Sequence, residues 1–197
     1  MSILFYFGGL ASFAIVAVLV DYALRAKNKK VFDKDHFYSL GVNTLGGKPF
    51  PLQDLKGKVV VVVNVASRCT LTPWQYPDLE KLHQKYKDQG LVVLGCPSNS
   101  FRQEHRETDA IQQCQRNFGV SFQILERMKV AGPEINPLFV FLTNSFPGLF
   151  GYRNVLWNFE KFVVNQEGQV VGRFLPATPV WLMDSMVSKL LSKDKSE

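Results

Sequence analysis

Two hydrophobic periods alternate along the chain. After Lys58 the sequence reads five valines, then Asn64 and Val65, a β-branched run bounded by Gly57 and Ser67, as in a strand covered on both faces. Residues 91–96 form a second continuous apolar run. Between the two, Tyr76, Leu79, Leu82 and Tyr86 recur at helical spacing. Thr72 can cap that helix, Pro73 suits its first position, and Gly90 closes it. Strand, helix and strand in this order predict a crossover unit with parallel strands.

The remaining elements attach to that unit. Gly41 and Gly46-Gly47 punctuate residues 37–51 as a short entry hairpin. A second helix is expected over about residues 107–118, a short strand over 122–125 and a third helix over 137–144. Residues 160–164 and 169–174 flank a turn at 165–168 and predict a hairpin. A last helix begins near Pro179, with Val180, Met183, Val187, Leu190 and Leu191 as its core face. The sum is one α/β core.

The first residues follow neither period. Residues 3–20 carry no charge, close to the length of about 20 residues that spans a hydrocarbon core as a helix. No basic segment precedes the run, which favours an uncleaved anchor over a cleaved signal peptide. Arg25, Lys27, Lys29 and Lys30 follow it, and such charge tends to stay cytoplasmic. The expectation is one transmembrane helix and a single-pass location, with the endoplasmic reticulum as a candidate membrane and the side of the catalytic domain open. The expected division is an anchor and basic linker over 1–35, a globular domain over 36–192 and a tail over 193–197.

Composition narrows the function. Hydrophobic residues make up 46% of the 197, and no repeat or low-complexity tract interrupts the body, so an ordinary globular domain is expected. The net charge of +6 is spread over several elements without an aromatic stripe, which argues against nucleic acid. It suits a plain basic surface or the attraction of small anionic reductants. His36, His83 and His105 lie far apart and lack zinc-type spacing, so no metal is expected. Three cysteines, an odd number, exclude a disulfide-stapled scaffold and are judged singly.

Cys69 has the most reactive setting of the three. It falls in the loop between a buried strand and a helix start, where unpaired N–H groups and the helix dipole favour an anion, and Arg68 stands beside it. The thiolate is the nucleophilic form. The alternative is a small buried hydrophobe.

The segment Val63-Asn64-Val65-Ala66-Ser67-Arg68-Cys69-Thr70-Leu71-Thr72 resembles the active-site segment of the glutathione peroxidases. Pro97-Ser98-Asn99-Ser100-Phe101-Arg102-Gln103-Glu104 resembles that family's Phe-Pro-Cys-Asn-Gln-Phe-Gly-x-Gln-Glu, and Trp157-Asn158-Phe159 its Trp-Asn-Phe. The three motifs stand in family order within residues 35–192. The resemblance implies a thioredoxin-like fold, a mixed central sheet flanked by helices. It also implies Cys69 as the peroxidatic thiol, with Gln103, Trp157 and Asn158 as its polar partners. The implied activity is reduction of hydrogen peroxide or organic hydroperoxides through a cysteine sulfenic acid, in oxidative stress defence, without metal or organic cofactor.

The chain departs from the family pattern at several points. One residue rather than two separates Phe101 from Gln103, which predicts a displaced Gln103. Ser98 and Ser100 replace the family's Cys and Gln, Arg102 its Gly, and Thr70 the usual Gly after the nucleophile. A sulfenic acid must be resolved by a second thiol. In the thioredoxin-using branch that cysteine lies on the second helix, in a register that falls here on Gln115, one residue after Cys114. Cys114 and, less favourably placed, Cys96 are the candidate resolving cysteines, and a one-cysteine cycle with glutathione is the preferred expectation. The alternatives are a thioredoxin-dependent two-cysteine peroxidase and a catalytically weakened, membrane-tethered redox sensor. A disulfide oxidoreductase of thioredoxin type would need Cys-x-x-Cys, whereas Thr70, Leu71 and Thr72 follow Cys69. The oligomeric state is open.

Overall fold

A computed structural model describes residues 36–193. The valine run is strand β3 (Val59–Val65), the middle of a five-stranded sheet ordered β5-β4-β3-β6-β7. It pairs in parallel with β4 (Leu91–Pro97) and antiparallel with β6 (Lys161–Val164). Short β5 (Gln123–Ile124) runs parallel to β4, and β7 (Val170–Phe174) antiparallel to β6, so the sheet is mixed. The helices are α1 (Thr72–Tyr86), α2 (Thr108–Asn117), α3 (Pro137–Ser145) and α4 (Trp181–Lys193). The entry hairpin is β1 (Gly41–Asn43) against β2 (Pro49–Pro51), with Val42 opposite Phe50.

All seven residues of β3 are buried because both faces of the sheet are covered. Side chains alternate across a strand, so Val59, Val61, Val63 and Val65 enter one apolar cluster and Val60 and Val62 the other. The first cluster holds the α1 stripe Tyr76, Leu79, Leu82 and Tyr86, the α4 residues Met183, Val187 and Leu191, and Val180 just before that helix. The second holds Leu138, Phe139, Phe141 and Leu142 of α3 and Val42 of the hairpin. At the sheet edge, a Cβ on Gly95 would lie 2.5 Å from Ile124 Cδ1, so the close approach of β5 to β4 requires glycine there.

Two expectations are corrected. Thr72 does not cap α1: Leu71 is the N-cap, Thr72 is the first helical residue and Pro73 the second. The Thr72 hydroxyl instead donates to Ala66 O at 2.5 Å, bracing the turn that carries Cys69. The expected transmembrane helix is also corrected, and with it the membrane partnership and the single-pass, endoplasmic reticulum location. Among the described residues no helix is long and apolar enough to cross a membrane. The longest, α1, has 15 residues and one apolar stripe, against about 20 apolar residues for a span. Residues 3–20, on which that expectation rested, lie outside the described residues.

Candidate active site

The site forms where three segments meet beyond the C-terminal ends of β3 and β4. The first is loop 66–71 after β3, carrying Cys69. The Cys69 N–H donates to Ala66 O at 3.4 Å and its carbonyl accepts from Thr72 N at 3.0 Å, a tight turn leading into α1. The thiol is buried, with the residue 4% exposed, and it borders the first apolar cluster.

The second segment, loop 98–104 after β4, is laced to the first by backbone bonds. Ser98 N donates to Val65 O at 3.0 Å and Arg68 N to Gln103 O at 2.9 Å. Ser67 N donates to the Glu104 carboxylate at 3.1 Å. The residues that replace the family's Cys and Gln have work of their own. Ser98 Oγ donates to Ser100 Oγ at 3.0 Å, and Ser100 Oγ accepts from Val130 N at 3.0 Å, which ties the loop to the next segment. Arg102, in place of the family's Gly, stands at φ 60°, the left-handed region that favours glycine.

The third segment carries Trp157 and Asn158 just before β6. Asn158 is fully buried, and its Nδ2 donates to Gln103 Oε1 at 2.8 Å. That bond reports on the shortened loop: Gln103 reaches Asn158, another of the residues expected around Cys69, so the shorter loop keeps these two together. The Trp157 ring lies 4.9 Å from that of Phe101 and is 42% exposed, at the rim rather than the floor. Thus Gln103 contacts both the backbone beside Cys69 and Asn158, while Trp157 joins the group through Phe101.

The other cysteines are placed differently. Cys96, on β4, lies in the second apolar cluster with no exposed surface, and burial pushes its thiol far above the ordinary range. Cys114, on α2, shares the first cluster with Cys69, and its thiol donates weakly to Ser67 O at 3.9 Å. Burial also raises the Cys114 thiol, with the Ser67 hydroxyl partly offsetting this.

Several supporting residues escaped the sequence reading. Asn64, the single polar residue in the valine run, donates from Nδ2 to Trp157 O at 3.0 Å and accepts from Glu160 N at 3.0 Å. Glu160 and Arg173 form a buried ion pair at 2.5 Å, side chains 0% and 2% exposed. Lys161 is wholly buried, and its ammonium donates to Pro176 O at 2.8 Å and Thr178 O at 3.0 Å. The signal was available, since each is a charged or polar residue set inside an apolar strand pattern and needs a partner when buried. What the sequence could not supply was the identity of the partner.

The glutathione peroxidase family model matches residues 37–143. A glutathione peroxidase-like peroxiredoxin of Chlamydomonas reinhardtii is 52% identical over 149 residues, 74% of this chain and 91% of that protein. One from Schizosaccharomyces pombe is 48% identical, covering 71% of this chain and 88% of that protein. Among solved structures, T. cruzi GPX1 superposes with a TM-score of 0.67 at 34% identity, covering 79% of this chain and 96% of that one. A Chlorobium tepidum thiol:disulfide interchange protein of the thioredoxin family, 20% identical at a TM-score of 0.60, shares the fold. The chain belongs to the glutathione peroxidase family and is a peroxidase, an oxidoreductase built on the thioredoxin-like fold.

Proposed function

We propose that the chain reduces hydrogen peroxide or organic hydroperoxides at Cys69 and regenerates that cysteine through Cys114 and a dithiol reductant of thioredoxin type. The thiolate sulfur of Cys69 attacks one peroxide oxygen and the O–O bond breaks. A sulfenic acid forms on Cys69, and the departing alkoxide or hydroxide takes a proton to leave as alcohol or water. The Gln103 amide, the Trp157 indole N–H and the Asn158 amide are donors suited to the negative charge that develops on sulfur and oxygen. Cys114 then displaces hydroxide from the sulfenic acid, giving a disulfide that the reductant opens.

The observation that carries the reading is the laced geometry around Cys69: Arg68 N to Gln103 O, and Gln103 Oε1 from Asn158 Nδ2. The second thiol is supported by the contact of Cys114 with Ser67, two residues before Cys69, and by relatives named peroxiredoxins. A one-cysteine cycle with glutathione is the second reading, favoured by the offset of Cys114 from the family register. Steady-state peroxide consumption with thioredoxin or glutathione separates the two. Cys69→Ser is expected to abolish both activities and Cys114→Ser to abolish the thioredoxin-driven one alone. Peroxidase activity surviving in Cys69→Ser would refute the attack step. Full thioredoxin-driven activity in Cys114→Ser would refute the second thiol.

A further inference from the structure

The segment that carries Trp157 and Asn158 into the site makes a turn that the backbone does not favour. Phe159 stands at φ 66°, in the left-handed region, although it is a bulky residue with no exposed surface. Such a conformation persists only where the surroundings over-determine it, and strained backbone of this kind gathers at functional sites. The Phe159 ring meets that of Tyr76 edge-on at 5.6 Å and lies in the first apolar cluster with Cys69. The turn is therefore packed against α1, the helix that starts at the Cys69 loop.

Asn64 grips this turn at three points. β6 begins at Lys161, opposite Val63, so Asn64 stands one position past the last paired residues of the two strands. There its Nδ2 donates to Trp157 O at 3.0 Å, its Oδ1 accepts from Glu160 N at 3.0 Å, and its backbone carbonyl accepts from Phe159 N at 2.6 Å. A primary amide can donate to a carbonyl and accept from an N–H at once, which accounts for a single Asn in the valine run. Asn64 is wholly buried, and its strand runs straight into the Cys69 loop. Asn158, between the gripped residues, has little tether of its own. Its Nδ2 reaches Gln103 Oε1 at 2.8 Å, while its Oδ1 is buried without a hydrogen-bond partner. The backbone on either side sets its aim, and both neighbours are bonded to Asn64.

We infer that Asn64 is a positioning residue for the peroxide step: on the proposed reading of Asn158 as a donor at Cys69, it clamps the strained turn at Phe159 and so holds the Asn158 amide in place. Asn64 acts through Asn158 and not on the peroxide. One strand thereby carries the nucleophile loop at its end and the donor turn at its side, and the two move as one body. Without the two side-chain bonds the left-handed residue is free to relax toward ordinary backbone angles, which turns Asn158 away from Gln103. A misplacement of about 1 Å at a reacting group can cost about a hundredfold in rate.

A double-mutant cycle on the full chain tests the clamp. Reduced protein is mixed with hydrogen peroxide and quenched at intervals with a thiol-alkylating reagent, and mass spectrometry reads the rate at which the Cys69 thiol is consumed. Asn64→Val continues the valine run and keeps the backbone bond to Phe159, but removes both side-chain bonds. It is expected to slow the step by about ten- to a hundredfold. Asn158→Ala should slow it at least as much. The double variant should be no slower than Asn158→Ala alone within about twofold, because the clamp has nothing left to aim. Circular dichroism confirms that each variant is folded, and Asn64→Ser takes the place of Asn64→Val if the latter is not. A wild-type rate in the Asn64 variant, or losses that multiply in the double variant as for a residue that only stabilises the fold, would overturn the clamp and leave Asn158 its role. A wild-type rate in Asn158→Ala would overturn that role and the clamp with it, so the two failures are distinguishable.

Discussion

Removing Arg173 should cost the protein more than any comparable change at its surface. The guanidinium is 2% exposed and bonds Glu160 Oε1 at 2.5 Å, Asn154 O at 2.6 Å, Tyr152 O at 3.1 Å and Phe146 O at 3.3 Å. It thus fastens the segment that leads into Trp157 and Asn158. In Arg173→Met the Glu160 carboxylate stays fully buried and keeps the backbone donor Leu156 N, at 2.7 Å, while the carbonyls of Phe146, Tyr152 and Asn154 lose the guanidinium, Tyr152 O retaining Gly148 N. Breaking a buried ion pair from one side costs about 3–5 kcal/mol, against a total stability of about 5–15 kcal/mol. Glu160→Gln is milder, because the guanidinium keeps its three carbonyls and a neutral acceptor replaces the charged one. That loss is about 1.5–3 kcal/mol. In the double variant no charge is left unpaired on the carboxylate side, so it should be more stable than the sum of the single losses. Urea unfolding followed by circular dichroism measures all three. An Arg173→Met loss below about 1 kcal/mol, the range of an exposed pair, would refute the reasoning, as would a Glu160→Gln loss exceeding it.

Three further outcomes are expected. Arg102→Gly should raise stability by about 0.5–1 kcal/mol in the same assay, because the relief of a left-handed non-glycine residue exceeds the added freedom of the unfolded chain; a loss would show that the Arg102 side chain matters more than its backbone. Burial pulls the Lys161 ammonium down to about 7, with Glu160 opposing, so between about 7 and the ordinary lysine value the unfolded chain binds the extra proton and stability rises with pH. From pH 7 to 9 the wild type should therefore gain about 2–3 kcal/mol relative to Lys161→Met, and parallel pH curves would refute that assignment. Burial raises the thiols of Cys96 and Cys114, so both should alkylate in the folded, reduced protein far more slowly than a free cysteine at pH 8, which timed labelling and peptide mapping would check.

The sheet, its helices and their order were legible because each carries a clear hydrophobic pattern: five consecutive β-branched residues bounded by Gly57 and Ser67 fit a strand covered twice, and the stripe from Tyr76 to Tyr86 fits a helix face. The candidate site was legible to the extent that three local motifs marked it. Side-chain pairing was not. Thr72 has the chemistry of a cap, but Ala66 O offers its hydroxyl a tertiary acceptor, and the helix start moves back onto Leu71. The missing loop residue suggested a displaced Gln103, yet a single residue forced into φ 60° and two serines bonded to each other let a shorter path reach Asn158. Such compensation depends on backbone torsions and long-range acceptors that no local pattern encodes.

The sheet also limits which cysteine can serve the proposed second thiol. Cys96 sits in register with Asn64 and points into the second cluster, whereas Cys69 and Cys114 border the first. A disulfide joins Cα atoms no more than about 7 Å apart with their Cβ atoms facing, so linking Cys96 to Cys69 would mean carrying a side chain through a hydrogen-bonded, fully buried sheet. Cys114 needs no such passage. One position along α2 turns the side chain by about 100°, and that rotation explains the register offset. Gln115, the position in family register, holds a buried and unpartnered Nε2, while Cys114 occupies the buried stripe with Ile111 and meets Ser67. A one-residue slip in sequence therefore moves the thiol from one side of the helix shoulder to the other without taking it away from the loop of Cys69. For a resolving thiol within the chain, Cys114 is therefore the candidate this placement favours over Cys96.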